Sequence, residues 1–201
     1  MIRIFSSAEN NVFKEIDRIE PGAWVHLLDP TEEELVFVRD TLHIEDEFIR
    51  AALDEEETVR IDAEEDQTLV LVDIPIVSAE RSSFMYTTLP MGIIITADNI
   101  ITVCLEETSI LEDFWNKNVR GGFDTCKKTR FLLQILYKNA GKYLQYLRQI
   151  DKASTQVENA LHKSMKNSEL IQMLKLEKSL VYFSTSLKSN EVVLEKCLSR
   201  K

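Results

Sequence analysis

The chain has 201 residues, 44% of them hydrophobic and 29% charged, a balance that supports a sizeable core and excludes a disordered or low-complexity protein. No apolar run approaches the roughly 18 residues that cross a bilayer, and Met1 to Phe5 turns polar at Ser6, too soon for a signal peptide. A soluble, cytoplasmic chain is therefore expected.

The net charge of −10 is unevenly divided. Residues 1–123 carry 27 acidic and 9 basic side chains, a net of −18, whereas residues 124–201 carry 7 and 15, a net of +8. This asymmetry places a boundary near Gly121-Gly122, between an acidic head (1–123) and a basic arm (124–201). The two parts attract each other within or between chains, or the head meets cations and the arm an anionic surface.

Within the head, Ile2 to Phe5 alternates weakly, as an edge strand does. Pro21-Gly22 is turn chemistry, and Trp24 to Leu28 reads as a strand buried on both faces, ended by Asp29-Pro30. Thr31 caps the next helix, and Glu34 supplies the reciprocal half of a capping box. A second helix starts near Glu45, with Phe48, Ile49, Ala52 and Leu53 inward. It closes on Asp54-Glu55-Glu56-Glu57, four carboxylates at a helix end whose dipole is already negative. Val59 to Ala63 alternates as a strand, and Thr68 to Ile74 is a buried strand that Pro75 is expected to end. Phe84 to Thr88 begins another strand. Met91 to Thr96 and Ile100 to Leu105 form a hairpin about Ala97-Asp98-Asn99. A short helix near Ser109 buries Leu111, Phe114 and Trp115. Six or seven strands with three short helices define an α+β head, built on a mixed, largely antiparallel sheet.

From Thr125 onward there is no proline, and Gly141 is the one glycine. Leu133, Leu136, Ala140, Tyr143, Leu147, Ile150, Val157 and Leu161 step by helical spacing. After a polar break at Lys166-Asn167-Ser168 the stepping resumes as Met173, Leu176, Leu180, Phe183, Leu187, Leu194 and Cys197. These predict two long helices that turn back on each other, each with a narrow seam for a partner helix. The first, about 40 residues long, would extend roughly 60 Å, well beyond the head. Ser154, Ser164 and Asn190 interrupt the seams and would set register. No stop signal follows Leu198, so the sequence reads as the front part of something longer.

Chemistry-bearing motifs are few. His26, His43 and His162 stand alone, without a partner at metal-ligand spacing, and read as structural or surface residues. Cys104, Cys126 and Cys197 are too scattered for a disulfide framework or a zinc site. Neither a phosphate-binding glycine loop nor a nucleophile elbow is present, so nothing supports an enzyme. The arm's lysines are interspersed with glutamates and lack alternating aromatics, which argues for a solvated surface and against a nucleic-acid partner. Asp54, Glu55, Glu56 and Glu57 are the candidate metal residues, because hard divalent cations such as Mg²⁺ take oxygen ligands.

In order along the chain, several motifs resemble the CorA-type magnesium and cobalt transporter family. They are Trp24-Val25-His26-Leu27-Leu28-Asp29-Pro30-Thr31, Leu53 to Asp62, Leu89-Pro90-Met91-Gly92-Ile93-Ile94-Ile95-Thr96 with its return strand Ile100 to Val103, Phe123-Asp124-Thr125, Phe131-Leu132-Leu133, and Leu176 to Phe183. The resemblance implies a cytosolic α/β/α head, a pentameric funnel with long helices, and a pore made by later transmembrane helices. The family's Gly-Met-Asn signature and both transmembrane helices lie outside this sequence, which reads as a cytosolic portion truncated before the membrane-leading helix. It further implies gating by cytosolic Mg²⁺ held between carboxylates of neighbouring subunits, with Co²⁺ as an alternative cation. Where many relatives carry Glu-Asp at the end of the second head helix, this chain has Arg50-Ala51, and its acids come later, at Asp54 to Glu57. The expected function is a cytosolic cation-sensing domain on the inner face of the cell membrane. The alternative is a soluble coiled-coil scaffold.

Overall fold

The computed structural model describes residues 1–7, 12–80, 83–116, 118–163 and 166–199. Its strands are β1 (Ile2–Ser6), β2 (Lys14–Glu15), β3 (Trp24–Leu28), β4 (Arg60–Glu64), β5 (Gln67–Glu80), β6 (Ser83–Ile95) and β7 (Ile100–Cys104). They form one sheet in the order β2-β1-β3-β7-β6-β5-β4. Every neighbouring pair is antiparallel except β3 and β7, which run parallel at its centre. Both central strands are covered on two faces, which is why their apolar residues fall on both sides, with His26 and Thr102 as the buried polar exceptions. The first strand lies one place in from the edge, because the short β2 pairs outside it.

Helices pack on both faces, giving three layers. On one side lie α1 (Glu32–Leu42) and α2 (Asp46–Arg50), the latter continued by a single 3-10 turn at Ala51–Leu53. The capping box at the start of α1 is formed: Thr31 Oγ1 accepts from the Glu34 amide at 3.3 Å, and Glu34 Oε2 accepts from the Thr31 amide at 2.9 Å. These helices cover Val25, Leu27, Leu69, Leu71, Ile94, Ile101 and Val103. Gly92 of β6 makes this close approach possible, since a Cβ there would lie 3.1 Å from Ala52 Cβ.

The opposite face is covered by α3 (Ser109–Trp115) and by two long helices, α4 (Lys128–Lys163) and α5 (Asn167–Ser199). Trp24 sits fully buried here, with Phe131 edge-on at 5.0 Å and Phe114 and Phe123 around it. Its indole N–H donates to Thr102 Oγ1 at 2.9 Å, and the same hydroxyl lies 3.0 Å from His26 Nδ1. His26 is thus a core residue.

The arm keeps close company with the sheet. Phe131 at the start of α4 and Val193 near the end of α5 belong to the core beside the sheet, whereas Val157 and Leu176 meet in a cluster farther along. The two helices are therefore antiparallel. Beyond the sheet, Tyr143, Ile150 and Val157 bury one residue per heptad, a coiled-coil seam. Over the sheet the buried face of α4 is wider and rotated: Leu133 and Ala140 are exposed, and Leu132, Ile135 and Asn139 face inward. On α5 the buried stripe is Leu176, Ser179, Phe183, Ser186, Asn190 and Val193. Leu180 and Leu194, expected in the seam, are exposed. The stripe keeps strict heptad spacing, but three of its members are polar, so a seam traced through apolar residues alone lands on the wrong positions. Asn190 is where register setting was expected, Ser154 is half-buried, and Ser164 lies outside the described residues.

Pro75 does not end its strand. β5 runs on to Glu80 and pairs with one continuous β6, with Asp73 opposite Pro90 and Pro75 opposite Thr88. The reason is parity. The Asp73 amide and carbonyl point away from β6, toward helix side chains, so residues 73, 75, 88 and 90 all direct their backbone polar groups outward. Neither proline removes a ladder hydrogen bond.

Candidate functional site

The four carboxylates singled out in the sequence lie together in a tight turn after α2. The Glu57 amide donates to the Asp54 carbonyl at 3.1 Å, and Asp54 Oδ1 accepts from the Glu56 amide at 3.0 Å. Such turns suit Asp, whose short side chain bonds its own backbone two residues on. Asp54, Glu55 and Glu56 are exposed. Glu57 is half-buried and pairs with Arg60 at 2.7 Å, and Arg60 also reaches Asp62.

A second charged network covers α1 and α2. Arg39 bridges Asp40 and Asp46, and Arg50 bridges Asp46 and Glu32. Arg50 holds the Glu32 carboxyl below its ordinary range, and Arg39 and Arg50 together do the same for Asp46. All these groups face solvent, so the network contributes little stability. It does cancel much of the acidity at the end of α2, where Arg50 is ion-paired and Ala51 is buried.

Among the described residues, no three His, Cys, Asp or Glu side chains converge as a metal-holding set. The turn at Asp54 to Glu57 instead presents carboxylates outward.

The sequence reading missed the junction between arm and head. The Asp73 amide donates to Asn190 Oδ1 at 2.9 Å. Its carbonyl accepts from Asn190 Nδ2 at 2.8 Å, Asn139 Nδ2 at 2.9 Å and the Tyr143 hydroxyl at 3.2 Å. Burial raises the Asp73 carboxyl above its ordinary range, against a hydrogen bond from Ser186 that lowers it. Burial, reinforced by the Asp73 charge, pushes the Tyr143 phenol up strongly. A lone acid within the apolar run Leu69 to Ile76, and polar residues at heptad spacing, were the available signals.

Two grooves flank α4. One, of about 900 Å³, lies between α3 and α4 and is lined by Leu133, Tyr137, Arg120 and Arg130 among others. The other, of about 460 Å³, lies between α4 and α5. Tyr137 is 80% exposed, and Leu170, Ile171, Leu174 and Val181 form further exposed apolar surface on α5. Among the described residues, no helix is long and apolar enough to cross a membrane.

A three-layer α+β head with two long antiparallel helices returning onto its sheet is a fold that this chain shares with the soluble domain of CorA. The model of the CorA-like Mg²⁺ transporter protein family matches residues 21–201, and the chain belongs to that family. It is 26% identical over 176 residues to the cobalt/magnesium transport protein CorA of Methanocaldococcus jannaschii, covering 85% of this chain and 53% of the relative. The complete structure of the CorA magnesium transporter from the same organism aligns with a TM-score of 0.83 at 23% identity, over 100% of this chain and 63% of that one. The soluble domain of that transporter aligns at 0.81 and 24% identity, over 96% and 77% of the two chains. A more distant likeness is the ZntB cytoplasmic domain from Vibrio parahaemolyticus, with a TM-score of 0.61 at 11% identity over 98% and 93% of the two chains. The chain thus spans about half the length of the curated relative and under two thirds of the complete transporter.

Proposed function

We propose that this chain is the cytosolic, cation-sensing portion of a divalent-cation transporter that handles Mg²⁺ and accepts Co²⁺. The observation that carries this reading is the family match over residues 21–201, with a fold shared along the whole chain with the complete transporter. The relatives' greater length supports a parent protein whose remaining segments reach the membrane, leaving this portion on the cytoplasmic face. Its role is sensing and coupling, not catalysis. Residues 1–123 act as the head that meets cations, and residues 124–201 as the arm that carries the response.

In this reading several copies, five for a complete funnel, assemble around an axis. A net charge of −18 per head opposes assembly unless cations screen or bridge it. Asp54, Glu55, Glu56 and Glu57 contribute one side of a bridged site and a neighbouring copy contributes the other. The exposed apolar residues of α4 and α5 supply surface for self-association. When the cation leaves, like charges push the heads apart and the arms move with them.

The test is thermal unfolding and sedimentation in 10 mM Mg²⁺, in Co²⁺ and in chelator. For a dissociation constant of about 1 mM, 10 mM Mg²⁺ adds about 1.4 kcal/mol, a rise in midpoint of about 3–5 °C. Replacing both Glu55 and Glu56 with Gln removes most of that rise. Identical midpoints and a strict monomer under all three conditions would sink the proposal.

A further inference from the structure

The outer half of the β5–β6 hairpin extends past both of its strand neighbours. β4 pairs with β5 only as far as Leu71, and β7 pairs with β6 only from Met91 onward. Residues 72–78 and 85–90 therefore have open backbone edges, which in an isolated two-stranded ribbon would be marginal. Side chains of α5 take the place of the absent strands. The Asn190 amide both accepts from and donates to Asp73, at 2.9 and 2.8 Å, as the next residue of a neighbouring strand would. Ser179 Oγ accepts from the Tyr86 amide at 3.0 Å, and the Ser186 and Thr88 hydroxyls share a hydrogen bond at 2.9 Å. The three residues lie on the stripe of α5 that is buried, where hydrophobic residues would pack more strongly but without direction.

We propose that the outer β5–β6 hairpin and α5 form one cooperative unit, keyed by Ser179, Ser186 and Asn190, which opens and moves as a single body. Asn190 bonds the amide and carbonyl of Asp73, Ser179 the Tyr86 amide and Ser186 the Thr88 hydroxyl, and together they span three turns of helix. Sliding α5 along the hairpin by one residue breaks all three at once, so intermediate registers are excluded. Leaving a buried donor or acceptor unpaired costs more than the bond itself contributes. Displacement of the arm is accordingly delivered to β5 and β6 without slippage. This coupling is independent of which cation, if any, the head binds.

Native-state hydrogen exchange on the whole chain tests the proposal. Asn190→Leu removes two bonds to Asp73 while keeping the branched shape of the side chain, and Ser179→Ala removes one bond to Tyr86 with minimal change in packing. Each bond contributes about a factor of five to ten. Asn190→Leu should then speed exchange at Ile74 to Val77 and at Phe183 to Val193 by the same factor, about tenfold or more. Ser179→Ala should do the same more weakly, with Tyr86 included. Amides of Phe48, Ile49 and Ile101, in the other layer and the sheet centre, should keep their rates. Acceleration in α5 alone, with the hairpin unchanged, overturns the proposal. So does equal acceleration throughout the chain, because it would show no unit smaller than the whole fold. Leu180→Ala, on the exposed side of α5, serves as the control and should not move the hairpin amides.

Discussion

His26 gives the chain a built-in sensitivity to acid. It is 3% exposed on the central strand β3, beside Trp24 and Trp115, with Nδ1 3.0 Å from Thr102 Oγ1. The Thr102 hydroxyl accepts the Trp24 indole proton, and burial favours the neutral imidazole. Burial, with a smaller contribution from the Arg3 charge and against a backbone hydrogen bond to Thr102, lowers the His26 pKa from 6.5 to about 4. The unfolded chain therefore takes up a proton near pH 6.5 that the folded chain refuses until about pH 4. Stability is full above the unfolded value and falls as pH drops through this window. At 1.36 kcal/mol per pH unit the whole gap is worth about 3 kcal/mol. Urea unfolding of the natural protein and of His26→Gln, from pH 7.5 to 4.5, separates this loss from that of the carboxylates. The stability difference between the two proteins should shrink by about 2.5 kcal/mol over that range. A flat difference, or an NMR titration placing His26 near 6.5 in the folded state, would refute the reasoning.

Two further substitutions test packing on the opposite faces of the sheet. Gly92→Val forces a branched side chain against Ala52, whose Cβ lies 3.1 Å from the position of the first added carbon. It should cost about 1–3 kcal/mol in urea unfolding and be partly restored by Ala52→Gly; an unchanged midpoint would mean that α2 moves away freely. Phe131→Ala empties the centre of the cluster formed by Trp24, Phe114 and Phe123 and should cost about 3–5 kcal/mol. Phe37→Ala, at a ring that is 53% exposed, should stay within about 0.5 kcal/mol. Similar losses at the two positions would contradict the assigned core.

Local sequence determined a good deal of this protein. Thr31 and Glu34 mark the start of α1 because both halves of a capping box lie within one helical turn. The runs Trp24 to Leu28 and Ile100 to Cys104 carry apolar residues on both faces because both strands are central, with His26 and Thr102 the polar members. The charge partition and the two long helical patterns were likewise plain, since each depends on residues close together in the chain. Motif order along the chain pointed to the right family. What local sequence did not reveal was which residues of the arm would be buried. On α5 a polar residue is stable in the core only where a particular backbone group waits for it, and Asp73 lies 117 residues from Asn190 in sequence. The same holds for Pro75 and Pro90, whose tolerance depends on which way the β5–β6 ladder turns its amides. The grouping of Asp54 to Glu57 in one turn was legible, but the cancellation of nearby acids by Arg39, Arg50 and Arg60 was not. Short-range patterns thus settled the elements, while hydrogen-bond satisfaction between distant segments, which only the tertiary structure determines, decided how the arm is keyed to the head.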